Sequence, residues 1–322
     1  MSPVHRLVVI ALACFVCGAA LAQSYPSRPI RMIVPQAPGS ASDTVARLIA
    51  AELTSQMKQQ VVVDNRPGGA LQLGLELTSR ATPDGYTIGY CMIGAMAISP
   101  NMLRKPPVNT EKDLLPISQT TTGQMLLAAG PGTPFKSVKD VIALAKQSPD
   151  KFFYASSGNG TPGHVGFELF KFMTGTQIVH VPYKGGAAGI ADLIAGQVQL
   201  MLESTNSITP FARSGRVRAL AGTSARRTPA LPDVPTVAEA GVPGYEATTW
   251  TGIVGPVGLP KPIVARLNAE LVKAVASPTF REKAAAIGSE PVSSTPEQFG
   301  AFIRSEYAKW GDVVRRSGAR ID

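Results

Sequence analysis

The feature that most narrows the fold is an alternation of extended apolar runs, Gly- or Pro-rich turns and amphipathic stretches along most of the chain. Residues 29–34 are apolar enough for a central strand and end at a proline–glycine turn. From residue 40 to 57, Val45, Leu48, Ile49 and Leu53 then fall at helical spacing. Strands follow at 61–64 and 86–91, with a helix to about Arg80 between them. Beyond an extended run at 117–129 the rhythm resumes. Helices are predicted at 137–147, to about Met173, at 187–195 and around 207–214, and strands at Phe153, 178–183, 198–202 and 217–221. Strand, turn and helix in rotation produce βαβ units on a parallel sheet.

The end of the chain breaks that rhythm. After an extended run at 247–257, helices are predicted at 262–276, 278–286 and 296–315 with no new set of strands to pack on. They must return to an earlier sheet. About 300 mature residues also exceed the size at which one core keeps growing. The expectation is an α/β protein of two β/α lobes, 23–124 with 247–322 and 125–246, joined by crossing strands near 115–129 and 247–257. A hinge of two crossings has a cleft beside it, where ligands bind.

The first residues stand apart. His5 and Arg6, an apolar stretch at 7–16 and Ala20-Leu21-Ala22 have the pattern of a cleaved secretory signal peptide over 1–22, which implies an exported protein. Cys14 and Cys17 leave with it, so Cys91 is alone and no intrachain disulfide is expected. With that one cysteine and only His164 and His180 beyond the leader, no cluster has metal-ligand spacing. The net charge of +9 is spread thinly, in no run longer than a pair such as Arg226-Arg227, and aromatics make up 6%. That excludes a nucleic-acid stripe and favours encounter with small anions.

Two turns carry the candidate site. Residues 153–164 form a short buried strand that enters Gly158-Asn159-Gly160-Thr161-Pro162-Gly163 and then a helix, with Thr161 as N-cap and Pro162 at the first helical position. Residues 34–43 repeat the device, with Ser40 and Asp43 spaced like a capping box. A glycine turn feeding a helix N-terminus offers unpaired N–H groups and the positive end of the helix dipole, a natural anion site. Ser40, Ser42, Ser157, Thr161 and His164 would add side-chain donors. Two enzyme readings compete. The G-x-G-x-x-G pattern suggests a dinucleotide, but the next strand ends Val181-Pro182-Tyr183-Lys184 without the required acid. Ser157 with His164 suggests a secreted hydrolase, but no G-x-S-x-G elbow surrounds the serine.

Several motifs together resemble the Bug-type extracytoplasmic solute receptors of tripartite tricarboxylate transporters. They include Tyr25–Arg31 running into Val34–Gly39 with Asp43, Asn65–Gly68, Pro83–Thr87, Ser157–Thr161 with His164, His180–Gly185, Leu231–Gly241 and Thr295–Glu297. The resemblance implies a type II periplasmic-binding-protein clamshell that captures a small organic carboxylate and is not an enzyme. It also implies delivery to the membrane subunits of such a transporter, with sensing as an alternative role. Its ligand loops correspond to residues 35–43 and 155–164, which adds Gln36, Pro38, Gly39, Asp43, Ser156, Gly158 and Gly160 to the site. A monomer without a cofactor or metal is expected. Two departures bear on the pocket: Ser40 and Leu71 stand where glycine is usual.

Overall fold

The computed structural model describes residues 25–320; the expected signal peptide lies outside the described residues. The first βαβ units are β1 (Ile30–Val34), α1 (Ala41–Met57), β2 (Val61–Asn65), α2 (Gln72–Ser79) and β3 (Thr87–Met92), with β1 between β2 and β3 and parallel to both. The chain then does something the apolar pattern did not announce. A π-helical turn, Gly94–Ile98, runs into the short helix α3 (Ser99–Met102). Every residue of that turn is buried, so no polar face marks its period.

β4 (Leu114–Ala129) is the spine of the molecule. After it come α4 (Val138–Gln147), β5 (Phe153–Ser156), α5 (Pro162–Thr174), β6 (Val179–Pro182) and α6 (Gly186–Ile194). Next are β7 (Leu200–Ser204), α7 (Thr205–Arg213), β8 (Arg218–Gly222) and β9 (Thr248–Pro256). The chain closes with α8 (Lys261–Ala276), α9 (Pro278–Ala286), the short β10 (Ser289–Pro291) and α10 (Pro296–Ser317). One curled sheet has the order β2-β1-β3-β9-β4-β7-β5-β6, with β8 and β10 also on β4. β4 changes company along its length. Residues 114–124 pair antiparallel with β9, while Met125–Ala129 pair with β7 and β8. The first half thus belongs with β1–β3, and the second with the parallel set β6-β5-β7.

Local signals fix the helix ends. Thr295 and Gln298 form a full capping box at α10, behind Pro296, and Gly318 closes the helix at φ 69°. Ser137 caps α4 and Ser277 caps α9 through the same side-chain bond. Helix α10 covers the first half of the sheet. Its Glu306, buried, accepts the indole N–H of Trp250 from β9 at 3.0 Å and that of Trp310 at 2.9 Å on one carboxylate oxygen. The tail, whose one short strand β10 was not expected from the sequence and pairs with β4, is thereby fastened to β9 as well.

Candidate ligand cleft

A cavity of about 710 Å³ lies where the two halves of β4 change partners, with Thr121–Met125 in its wall. The N-terminal turns of four helices reach it: Ser40 and Ser42 of α1, Thr161–Gly163 of α5, Gly185 and Gly186 of α6, and Ser204, Asn206 and Ser207 of α7. Among the described residues, the lining holds no lysine, arginine or histidine, and its one acidic residue is Glu203. What this lining can offer an anion is therefore helix ends and their N–H groups.

The α1 side is built on Asp43. Ser40 Oγ accepts the Asp43 N–H at 3.1 Å as an N-cap. The Asp43 carboxylate does not close the second half of a capping box on Ser40. It accepts instead from the Gly39 N–H at 2.8 Å, from Arg47 Nε at 3.0 Å and from Asn65 Nδ2 at 2.9 Å. Burial pushes its pKa up, but the bonds from Arg47, Gly39 and Asn65 outweigh that and hold it below the ordinary carboxylate range. Asn65 Nδ2 also donates to Gln36 O at 3.0 Å, so Asp43 and Asn65 shape the turn from behind. Gln36, Ser40 and Ser42 line the cavity, whereas Asp43 lies under the turn, and Pro38 and Gly39 are exposed outside it. Beside Ser42 stands Tyr90, fully buried, its hydroxyl near those of Ser42 and Thr251 without a close hydrogen bond.

The α5 side is similar in plan. Ser157, Gly160 and Thr161 line the cavity, while Ser156, Gly158 and His164 do not. Thr161 Oγ1 accepts the His164 N–H at 3.4 Å and donates to Gly158 O at 2.8 Å, capping the helix and closing the turn. His164 faces inward. Its Nδ1 accepts the Gly160 N–H at 3.1 Å, so that nitrogen carries no proton, and the ring stacks on His180 at 4.1 Å. Burial lowers the pKa of His164, and burial together with His164 pushes His180 down to about 3. Both rings are neutral at neutral pH. His164 thus organises the turn; the side-chain donor expected of it does not reach the cavity. Gly163 lets α5 approach β7 so closely that a Cβ there would run into the Leu202 carbonyl.

The serines are also committed. Ser156 Oγ is 2.7 Å from His180 Nε2, and Ser157 Oγ donates to Glu203 rather than to His164. No Ser157–His164 pair exists to act as nucleophile and base. Sequence reasoning missed Glu203 as a cavity residue, along with Tyr90, Asn206, and Thr121–Gln124 and Thr249–Thr251 on the paired crossing strands. The strands were placed beside a cleft, and that was the available signal for the last two stretches. Leu71 lines the cavity as well, from a residue with φ +71°.

Two β/α lobes joined through β4 and β9, with a cleft at the junction, make a type II periplasmic-binding-protein clamshell. The chain belongs to the tripartite tricarboxylate transporter family receptors, a match that spans residues 45–319. That family consists of solute-binding receptors, not enzymes. Protein BugT of Bordetella pertussis is 34% identical over 325 residues, covering 100% of both chains. Among solved structures, R. palustris Rpa4515 with adipate superposes with a TM-score of 0.81 at 35% identity, covering 92% of this chain and 100% of that one. MatC from Rhodopseudomonas palustris with bound malate gives a TM-score of 0.77 at 30% identity, over 90% of this chain and 100% of that one.

Proposed function

We propose that this protein is a periplasmic receptor that holds a small organic carboxylate in the cleft and passes it to the membrane subunits of a tripartite tricarboxylate transporter. The observation that carries the reading is that the N-termini of α1 and α5, one from each proposed lobe, reach one cavity whose described lining has no cationic side chain. Such ends bind carboxylates through backbone N–H groups and partial charge. The adipate and malate held by two relatives support the same ligand class. Gln36, Ser40, Ser42, Gly160 and Thr161 form the proposed contacts, and Tyr90 adds a hydroxyl beside Ser42. Pro38, Gly39, Asp43, Ser156, Gly158 and His164 shape the two turns.

The lobes are proposed as 23–124 with 247–322 and as 125–246, since β4 exchanges partners between Gln124 and Met125. Among the described residues no helix is long and apolar enough to cross a bilayer. On this reading the receptor works as a monomer and needs no cofactor, and the ligand favours the closed arrangement because it touches both lobes. A thermal-shift screen of mono-, di- and tricarboxylates against their amides and esters tests it. A ligand at ~100 times its Kd adds about 2.7 kcal/mol of stability. Stabilisation by an acid but not by its amide is the expected result; stabilisation by uncharged analogues alone would overturn the reading.

A further inference from the structure

Among the described residues, Glu203 is the one formal charge on the cleft wall, and its sign is wrong for an anion receptor. Its side chain is buried, at 7% exposure, at the end of β7. One carboxylate oxygen accepts the Ser157 hydroxyl, and the other accepts the Ser204 N–H at 2.8 Å. Its Oε2 also lies across the first residue of α6, 2.7 Å from where a Cβ on Gly186 would stand. Two of the four helix ends, those of α6 and α7, therefore already face a carboxylate supplied by the protein. A carboxylate has about four acceptor positions, and only two are used here. The lining offers no cation to meet the rest.

On the opposite wall the polar groups are donors with capacity to spare. The Tyr90 hydroxyl is buried beside the hydroxyls of Ser42 and Thr251 with no close bond to either, and Ser42 Oγ makes a long 3.6 Å contact to Met92 sulfur. The cleft thus has a donor end on the α1 side and an acceptor end at Glu203. A plain dicarboxylate would set its second charge against the buried glutamate, with no cation to screen it. We infer that the ligand is an amino carboxylate, its carboxylate on the α1 side and an ammonium N–H group against Glu203. The inference rests on the carboxylate-receptor reading and narrows its substrate class.

Isothermal titration with two matched sets tests it: succinate, glutarate and adipate beside aspartate, glutamate and ε-aminocaproate. In the wild-type protein at least one amino compound should bind roughly ten- to a hundredfold more tightly than its dicarboxylate counterpart, the worth of a charged hydrogen bond. Glu203→Gln keeps the shape and removes the charge, so that preference should shrink or invert. The wild-type comparison decides the matter even where the variant does not fold. Dicarboxylates that bind the wild type as well as or better than their counterparts would overturn the inference and leave the carboxylate reading standing. An equal loss for both sets in Glu203→Gln would also overturn it, leaving Glu203 only a brace for Ser157. Binding by none of the acids, where an uncharged probe does bind, would sink both.

Discussion

Replacing Leu71 by glycine sets three effects of similar size against one another. Leu71 has φ +71° and follows Ala70 at φ +53°, so two successive side-chain-bearing residues sit in the left-handed region. That conformation costs roughly 1–2 kcal/mol for an L-residue, and glycine relieves it. Against this, glycine gives the unfolded chain more freedom, at about 0.4–1 kcal/mol. Leu71 is half-buried, packing on the core and on Gly94, so its loss removes about half the value of a buried leucine, ~1 kcal/mol. The terms nearly cancel, and urea unfolding should place Leu71→Gly within about 1 kcal/mol of the wild type. Binding has no such compensation. The side chain is part of the cleft wall, and losing its contacts should weaken the preferred acid by about 1–3 kcal/mol in isothermal titration. A stability loss above ~3 kcal/mol would show that Leu71 holds the fold, and unchanged affinity for every acid would show that it does not touch the ligand. Either result refutes the reasoning.

Glu306→Ala leaves two buried indole N–H groups without an acceptor and should cost about 3–5 kcal/mol, with Glu306→Gln clearly milder. The chain has two tryptophans, both on this carboxylate, so their fluorescence during urea unfolding reads the loss directly. Asp43→Asn should lower stability by about 1–2 kcal/mol at neutral pH. Because the folded-state pKa of Asp43 is depressed, its contribution is complete above the unfolded value and fades as pH falls through the folded one. The deficit should therefore narrow in melts at about pH 3, and a constant deficit would contradict the bonding described. Gly160→Val forces a β-branched residue to φ +74° in the turn and should abolish ligand-induced thermal stabilisation while circular dichroism stays near native. Full binding by that variant would remove the α5 turn from the site.

The fold was largely legible because its signals are local and repeated. Ser40 and Thr161, read as caps, mark real helix starts, and the helices expected from 137, 278 and 296 begin at the caps Ser137, Ser277 and Thr295. The hidden parts are those without a polar face or a length to show it. Gly94–Ile98 is buried all round, and β10 is three residues pairing with β4. The site divides along a similar line. Both turns and their positions at helix ends could be read from spacing. Which way a side chain faces could not, because that depends on partners distant in sequence. His164 turns inward onto His180, and Ser157 meets Glu203, 46 positions away.

On the proposed reading, those inward bonds also explain how a cleft whose described lining has no cation could bind strongly enough to close. A helix end carries about half a unit charge, and its effect falls off within the first turn. An open cleft gains little from such short-range sources, since a ligand on one lobe is beyond reach of the other lobe's helices. Only when α1 on one side and α5 on the other approach the same molecule do both contribute, so the attraction is concentrated in the closed state. That differential affinity is what a closing receptor requires. It works only if the turns hold their shape, and Asp43 with Asn65 on one side and His164 with the Thr161 cap on the other supply that rigidity. On the proposed reading, His164, expected as a ligand donor, serves binding instead by holding the Gly160 turn in shape.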